Sequence, residues 1–139
     1  MTALDSCEPQ IIRALEKDGW RIVVKPYSIY VDERSVLADF GAQYVSPTEV
    51  RTIVVVEVKC FSNPKADLAN LYTAIGQYQY YRVNLKRDKP DVTLFLAIPD
   101  EAYQRFLLQR SFLDTFAETG VKLLIVDTEE EEIVQWLTW

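Results

Sequence analysis

The stretch "RTIVVVEVKCF", residues 51–61, decides the fold. Ile53, Val54, Val55, Val56 and Val58 form a run of branched apolar side chains. That is the composition of a strand covered on both faces. Glu57 and Lys59 then set two opposite charges into the end of the run. Side chains alternate along a strand, so residues two apart share a face. Glu57 and Lys59 therefore belong to one face, and Cys60 to the other, where it reads as core.

Working outward, the chain alternates strand and helix signals. "CEPQIIRALEKDGW" (7–20) reads as a helix: Ile11, Ile12 and Leu15 recur at helical spacing, Pro9 lies near the start, and Gly19 stops it. "RIVVK" (21–25), closed by Pro26, and "YSIYV" (27–31) read as short strands. "SVLADFGAQYV" (35–45) reads as one long strand, in which Gly41 marks a bulge or a close backbone approach. After the break "SNP" (62–64), residues 66–87 form a long helix, with Leu68, Leu71, Tyr72, Ile75 and Tyr78 near one stripe. "DVTLFLAIP" (91–99) is another buried strand, and 100–118 is helical with a break near Arg110–Ser111. "VKLLIVD" (121–127) and "EIVQWLTW" (132–139) close the chain as strands around an acidic turn. Strands with interspersed helices predict an α/β class, with one mixed central sheet flanked by helices.

Bulk properties bound the function. The 139 residues make one domain, 1–139, with nearly half the residues apolar and about a quarter charged. No apolar run approaches the ~20 residues that cross a bilayer. "MTALDSCEPQ" lacks the basic-then-apolar pattern of a secretion signal, so a cytoplasmic protein without membrane contact is expected. The two cysteines, Cys7 and Cys60, make no disulfide framework. Histidine is absent, which excludes imidazole zinc sites and Ser-His or Cys-His nucleophiles. Chemistry is left to carboxylates, Lys, Tyr or a bound cation. The net charge of −6 disfavours nucleic acid as a general partner. Yet "RVNLKRDK" (82–89) is locally basic and "DTEEEE" (127–132) locally acidic, so the charge is segregated.

The candidate constellation follows from the strand. If strand 35–45 pairs with strand 51–61 as a hairpin, the Asp39 carboxylate approaches Glu57. Two carboxylates bind a hard divalent cation such as Mg²⁺ or Mn²⁺, which polarises a phosphate and acidifies a bound water. Lys59 would steady the attacking water or the developing charge. Gln77 and Tyr81 stand four apart on one face of the next helix and could turn toward the same place. Glu8 or Glu16 of the first helix could add a metal ligand. Plainer readings stay open: Glu57 paired with Lys59 at an exposed strand end, Asp39 bonded to a turn backbone, tyrosines packed on the sheet, and solvated helical glutamates. Trp136 and Trp139 either finish the core or form an interface, and an exposed last strand would favour a homodimer.

Asp39, Glu57-Val58-Lys59 and Gln77-(x)3-Tyr81 resemble the PD-(D/E)xK nuclease superfamily, in particular its exonuclease branch with Gln-xxx-Tyr after the Glu-x-Lys strand. The resemblance implies a restriction-endonuclease-like αβββαβ core, with metal ligands at Asp39 and Glu57. Ala38 stands where that superfamily often has proline, a position that varies. In combination "RALEKDGWRI", "ADFGAQ", "VEVKCF", "GQYQYYR", "LFLAIPD" and "EEIVQWL" are similar to the cyanobacterial XisH family of fdxN element excision controlling factors, from about residue 8 to the end. That family often carries histidine near the position of Glu8. It implies a role in excising a DNA element during heterocyst differentiation, where a separate recombinase cuts and rejoins, and a small protein partner, XisI. In a metal-dependent nuclease or nuclease-like DNA binder, Arg82, Lys86 and Arg87 would meet phosphates if the end of their helix faces the site. The alternative is a non-catalytic control module acting through protein contacts in recombination, or a structural domain with no special strand end.

Overall fold

The computed structural model describes residues 7–48 and 51–139. Helix α1 (Glu8–Lys17) leads into strands β1 (Trp20–Val24), β2 (Tyr27–Val31), β3 (Arg34–Ala38), β4 (Phe40–Val45) and β5 (Arg51–Val58). A 3₁₀ turn (Pro64–Ala66) and the long helix α2 (Asp67–Asp88) return the chain to β6 (Thr93–Pro99). A short helical turn α3 (Asp100–Ala102) runs into a π turn (Tyr103–Leu107). Then follow α4 (Arg110–Thr119), β7 (Leu123–Asp127) and β8 (Glu132–Leu137). The break in the 100–118 segment falls at Leu108–Gln109, just before the expected place.

Six strands form one mixed sheet in the order β1-β4-β5-β6-β7-β8, and β2-β3 form a separate two-stranded ribbon. β5 pairs with β6, and β6 with β7, in parallel; the β1–β4, β4–β5 and β7–β8 pairs are antiparallel. This is the α/β architecture with a mixed sheet that the alternating signals predict.

β5 shows why both sheet faces are covered. Val54, Val56, Val58 and Cys60 pack into one core with Ile11, Ala14 and Leu15 of α1. Val55 packs into the other with Leu71, Ala74 and Tyr78 of α2 and Phe116 of α4. Each fully buried valine contributes roughly 1.5–3 kcal/mol of transfer free energy. The second core also takes Ile29 and Ala38 from the ribbon.

Two expectations need correction. The stretch 35–45 is not one strand: it breaks at Asp39 into β3 and β4, which lie in different sheets. Ala38 and Phe40 would share a face in a continuous strand. Here they enter opposite cores, so the chain changes face at Asp39. The second correction concerns the cysteines. Cys60 is on the face opposite Lys59, as alternation requires, but it is bonded to Cys7, with 5.9 Å between Cα atoms. The bridge ties the start of α1 to the strand end. Closing a loop across a separation of 53 residues removes about 4 kcal/mol of unfolded-state entropy in the chain-entropy model.

Gly41 combines both meanings that its place in the sequence suggests. The β1–β4 register shifts between Ile22 and Val24, opposite Ala42 and Gly41. A Cβ on Gly41 would lie 2.8 Å from the Tyr27 ring and 3.1 Å from Val24. Trp136 finishes the α1-side core, 4.8 Å from Phe95 and 5.5 Å from Trp20 between ring centroids. Trp139 remains about half exposed and donates its indole N–H to the Val121 carbonyl.

The acidic 127–132 turn is held from two sides. The Asp127 carboxylate accepts from the Glu129 and Glu130 amides. Arg13 of α1 grips Glu131 with Nε at 3.0 Å from both carboxylate oxygens and Nη2 at 2.6 Å from Oε2. Lys17 donates to the Glu130 carbonyl at 2.7 Å.

Gly41→Ala should lower unfolding free energy by about 1–3 kcal/mol, read from the denaturant midpoint at unchanged slope. An unchanged midpoint would mean that Tyr27 moves aside freely. The bond from Arg13 lowers the Glu131 pKa below its ordinary 4.5. A depressed carboxylate pKa gives stability that is present above the unfolded value and is lost as pH falls through the folded one. Wild type should therefore exceed Glu131→Gln in thermal stability at neutral pH, and the gap should begin to close as pH falls below about 4.5 and vanish only below the lowered folded-state pKa.

Candidate functional site

The break at Asp39 places its side chain against the end of β5. Phe40 is the register partner of Val56, so Asp39 meets Glu57 one step further on. The two side chains cap backbone amides across the junction. The Asp39 amide donates to Glu57 Oε1 at 3.2 Å, and Asp39 Oδ2 accepts from the Val58 amide at 2.7 Å. These bonds replace the ladder contacts that end when the chain changes face, and they bring two carboxylates side by side.

Lys59 continues the line of β5. Its amide donates to the Ala97 carbonyl at 2.9 Å, so the pairing with β6 runs past Val58. Glu57 and Lys59 are both half-buried and alternate with the buried Val58 and Cys60. They lie on the α2 side, as alternation predicts. Tyr81 of α2 closes the corner, donating from its hydroxyl to the Leu37 carbonyl at 3.3 Å. Burial, then the negative charges of Glu57 and Asp39, push its phenol pKa above the ordinary 10.0. Gln77 is half-buried one turn earlier on α2.

Lys25 is the member that sequence reading did not find. Its ammonium pairs with Glu8 at 2.8 Å. The bond to Glu8 raises its pKa above the ordinary 10.5, and the nearby Asp39 charge adds to this. Glu8 is thus engaged by a lysine at the edge of the corner, and Glu16 lies exposed on α1. "VVKP" offered no signal beyond a strand end, because the approach of Lys25 depends on how the hairpin folds back.

Among the described residues, no group of three or more Asp, Glu or Cys side chains could hold a metal ion. The two described capping bonds use one oxygen of each carboxylate. A pair of carboxylates fits Mg²⁺, which usually keeps several waters and takes only one or two protein carboxylates. It does not fit an ion that requires a closed protein cage.

The candidate phosphate contacts have different partners. Arg82 Nε and Nη2 lie 3.0 and 2.7 Å from Gln79 Oε1. Arg87 donates to Asn84 Oδ1 at 2.7 Å and faces Asp32 at 3.8 Å. Lys86 is exposed.

A cleft of about 640 Å³ opens at the carboxyl ends of β5, β6 and β7, a common ligand position in open α/β sheets. Its wall includes the Cys7–Cys60 bridge, Phe61, Asp100, Asp127 and Arg105, but neither Asp39 nor Glu57. Arg105 is occupied there. It binds the buried Asp67 through Nη2 at 3.0 Å to both oxygens, reaches the Phe61 carbonyl at 3.1 Å and pairs with Glu101. Phe61 adopts φ 52°, so the chain makes a left-handed turn straight after the charged strand end. This pair fixes the start of α2 against the π turn.

The chain is similar to known proteins over nearly all its length. The XisH family model, described as XisH protein, matches residues 1–134. An XisH family protein from Nostoc punctiforme PCC 73102 has the same fold with a TM-score of 0.84 and 34% identity, covering 95% of this chain and 99% of its own. An fdxN element excision controlling factor protein from Anabaena variabilis superposes with a TM-score of 0.83 at 30% identity, over 96% of this chain and 99% of its own. No functionally curated protein matches. The match runs through α1, the Asp39 break and the β5 strand end alike, and the chain belongs to the XisH family.

Proposed function

We propose that this excision controlling factor acts on DNA through a nuclease-like corner formed by Asp39, Glu57 and Lys59. The exchange of amide bonds between the two segments, Glu57 accepting from Asp39 and Asp39 from Val58, carries the reading. It holds two carboxylates side by side at a strand end, with a lysine two residues on along the same face. Asp39 and Glu57 would hold Mg²⁺ or Mn²⁺, and the ion would supply polarisation of a phosphodiester and a more acidic water. Lys59 would orient that water or balance charge developing on the phosphate. Tyr81, neutral at physiological pH, walls the corner and presents a hydroxyl, and Gln77 lies one turn away as a polar contact for the strand. Lys25 balances the acidic corner when no ion is bound.

A second reading is favoured by a separate observation. On the outer face of the β2–β3 ribbon, Tyr30 and Leu37 are 62% and 54% exposed. Exposed aromatic and aliphatic side chains on a small ribbon suit a protein partner. Control would then run through an XisI-like protein bound at that face. β8, at the sheet edge, offers pairing to a second copy.

Thermal melting separates the readings. Mn²⁺ at about ten times its Kd should stabilise the fold by about 1.4 kcal/mol, a rise of roughly 4–6 °C. Glu57→Gln keeps an acceptor for the Asp39 amide and should abolish the rise. A wild-type melt indifferent to Mn²⁺ would remove the divalent-ion site. Nicking of branched, single-stranded or duplex DNA should require Mn²⁺ and vanish in Asp39→Asn; activity that survives in that variant marks a contaminant. Under the second reading, Tyr30→Arg should abolish co-purification with an XisI-like protein while Lys59→Ala leaves it intact. The reverse pattern would return the partner site to the carboxylate corner.

A further inference from the structure

On the flank of α2 away from the carboxylates lies a cavity of about 240 Å³. Arg82, Lys86 and Lys122 line it, with Leu85, Val92 and the Tyr78 phenol among its other walls. No Asp or Glu belongs to its lining, although the chain carries 21 acidic residues against 15 basic ones. Among the described residues, none of the three cations takes part in an ion pair within 4.0 Å. Three like charges around one small concavity repel each other, and an anion relieves that repulsion.

The arginine is held in place without being neutralised. Gln79 Nε2 donates to the Thr119 carbonyl at 2.8 Å, which fixes the orientation of its amide. Gln79 Oε1 then accepts from Arg82 Nε and Nη2. An amide positions the guanidinium and leaves its full charge, and the Nη1 edge is not used in these bonds. The floor is equally fixed: the Tyr78 hydroxyl donates to the Leu94 carbonyl at 2.7 Å and accepts from the Lys122 amide at 3.1 Å. Tyr78 is fully buried, so the phenol anchors the backbone from which Lys122 projects. A pre-oriented guanidinium beside two ammonium groups matches a phosphate, whose oxygens accept charge-assisted bonds from several directions.

We infer that this cavity binds a phosphate group, through Arg82, Lys86 and Lys122, at a site separate from the Asp39–Glu57 corner. The phosphate belongs either to a small phosphorylated compound or to the backbone of a DNA strand, and the chemistry at the cavity is shared. The inference does not rest on the divalent-ion reading, and its test excludes divalent ions.

Full-length protein is titrated calorimetrically in EDTA at constant ionic strength with inorganic phosphate, with AMP and with a short single-stranded oligonucleotide, using chloride as the matched control. Phosphate and AMP should bind with saturation where chloride does not. Arg82→Gln and Lys122→Gln should each weaken binding about tenfold or more, while Lys65→Gln, on an exposed turn elsewhere, should not. Circular dichroism confirms folding, and Lys86→Gln, at an exposed position, supplies a third variant should Arg82→Gln unfold. Competition between oligonucleotide and inorganic phosphate would support the site and assign it to strand backbone. Binding of AMP that the oligonucleotide does not displace would support it and assign it to small phosphates. Absence of saturable phosphate binding, or binding unchanged in both Arg82→Gln and Lys122→Gln, would overturn the inference.

Discussion

The structure depends on how the chain ends a ladder and changes sides at Asp39. A strand that stops inside a domain leaves amide groups without ladder partners, and burying them unbonded costs about 1–3 kcal/mol each. Here each of two carboxylates takes an amide of the other segment: Glu57 that of Asp39, and Asp39 that of Val58. The exchange lets Ala38 enter one core and Phe40 the other. It also sets two acids together at the end of a strand that packs into both cores. The feature that terminates the strand and the feature that could do chemistry are the same pair of side chains.

β5 can support such a pair because it is the shared wall of both cores. Its alternate valines are gripped by α1 on one side and by α2 and α4 on the other. A displacement of Glu57 would have to be accommodated by closely packed interiors. The Cys7–Cys60 bond adds a covalent restraint one residue beyond Lys59. Arg105, through Asp67 and the Phe61 carbonyl, then fixes the turn that follows. The charged end is therefore framed by restraints on either side, while the heads of Glu57 and Lys59 stay half exposed.

Local pattern carried much of this in advance. The valine run of 53–58 announced a strand covered twice, and period-two alternation put Glu57 with Lys59 and Cys60 with the core. Helical spacing put Gln77 and Tyr81 on one face of α2 and left open whether they turn to the strand end or pack on the sheet. What could not be read were the features set by three-dimensional return. "SVLADFGAQYV" has the composition of an unbroken strand, and only the competing pull of two cores breaks it at Asp39. Cys7 and Cys60 stand 53 residues apart, with nothing local to pair them. Lys25 reaches Glu8 and the neighbourhood of Asp39 because β1 lies beside β4 at a register shift. Lys122 joins Arg82 because β7 runs parallel to β6 beneath the end of α2. The basic segment 82–89 read as one patch, but a helix distributes consecutive residues around its axis: Arg82 and Lys86, one turn apart, line one cavity, while Arg87 turns to Asn84 and Asp32.

That distribution gives α2 its place in the molecule. Tyr81 and Arg82 are successive residues about 100° apart on a helix. One closes the acidic corner and the other lines the basic cavity. At physiological salt, charges separated by more than ~8 Å are largely screened when exposed. A chain of net charge −6 can therefore keep a cationic hollow on one flank of a helix and paired carboxylates on the other. Attraction of an anion to the first need not be cancelled by the second where water and salt screen their exposed charges from one another. A helix packed by its tyrosines onto the sheet thus separates two opposite electrostatic environments, and net charge alone is a poor guide to what such a molecule binds.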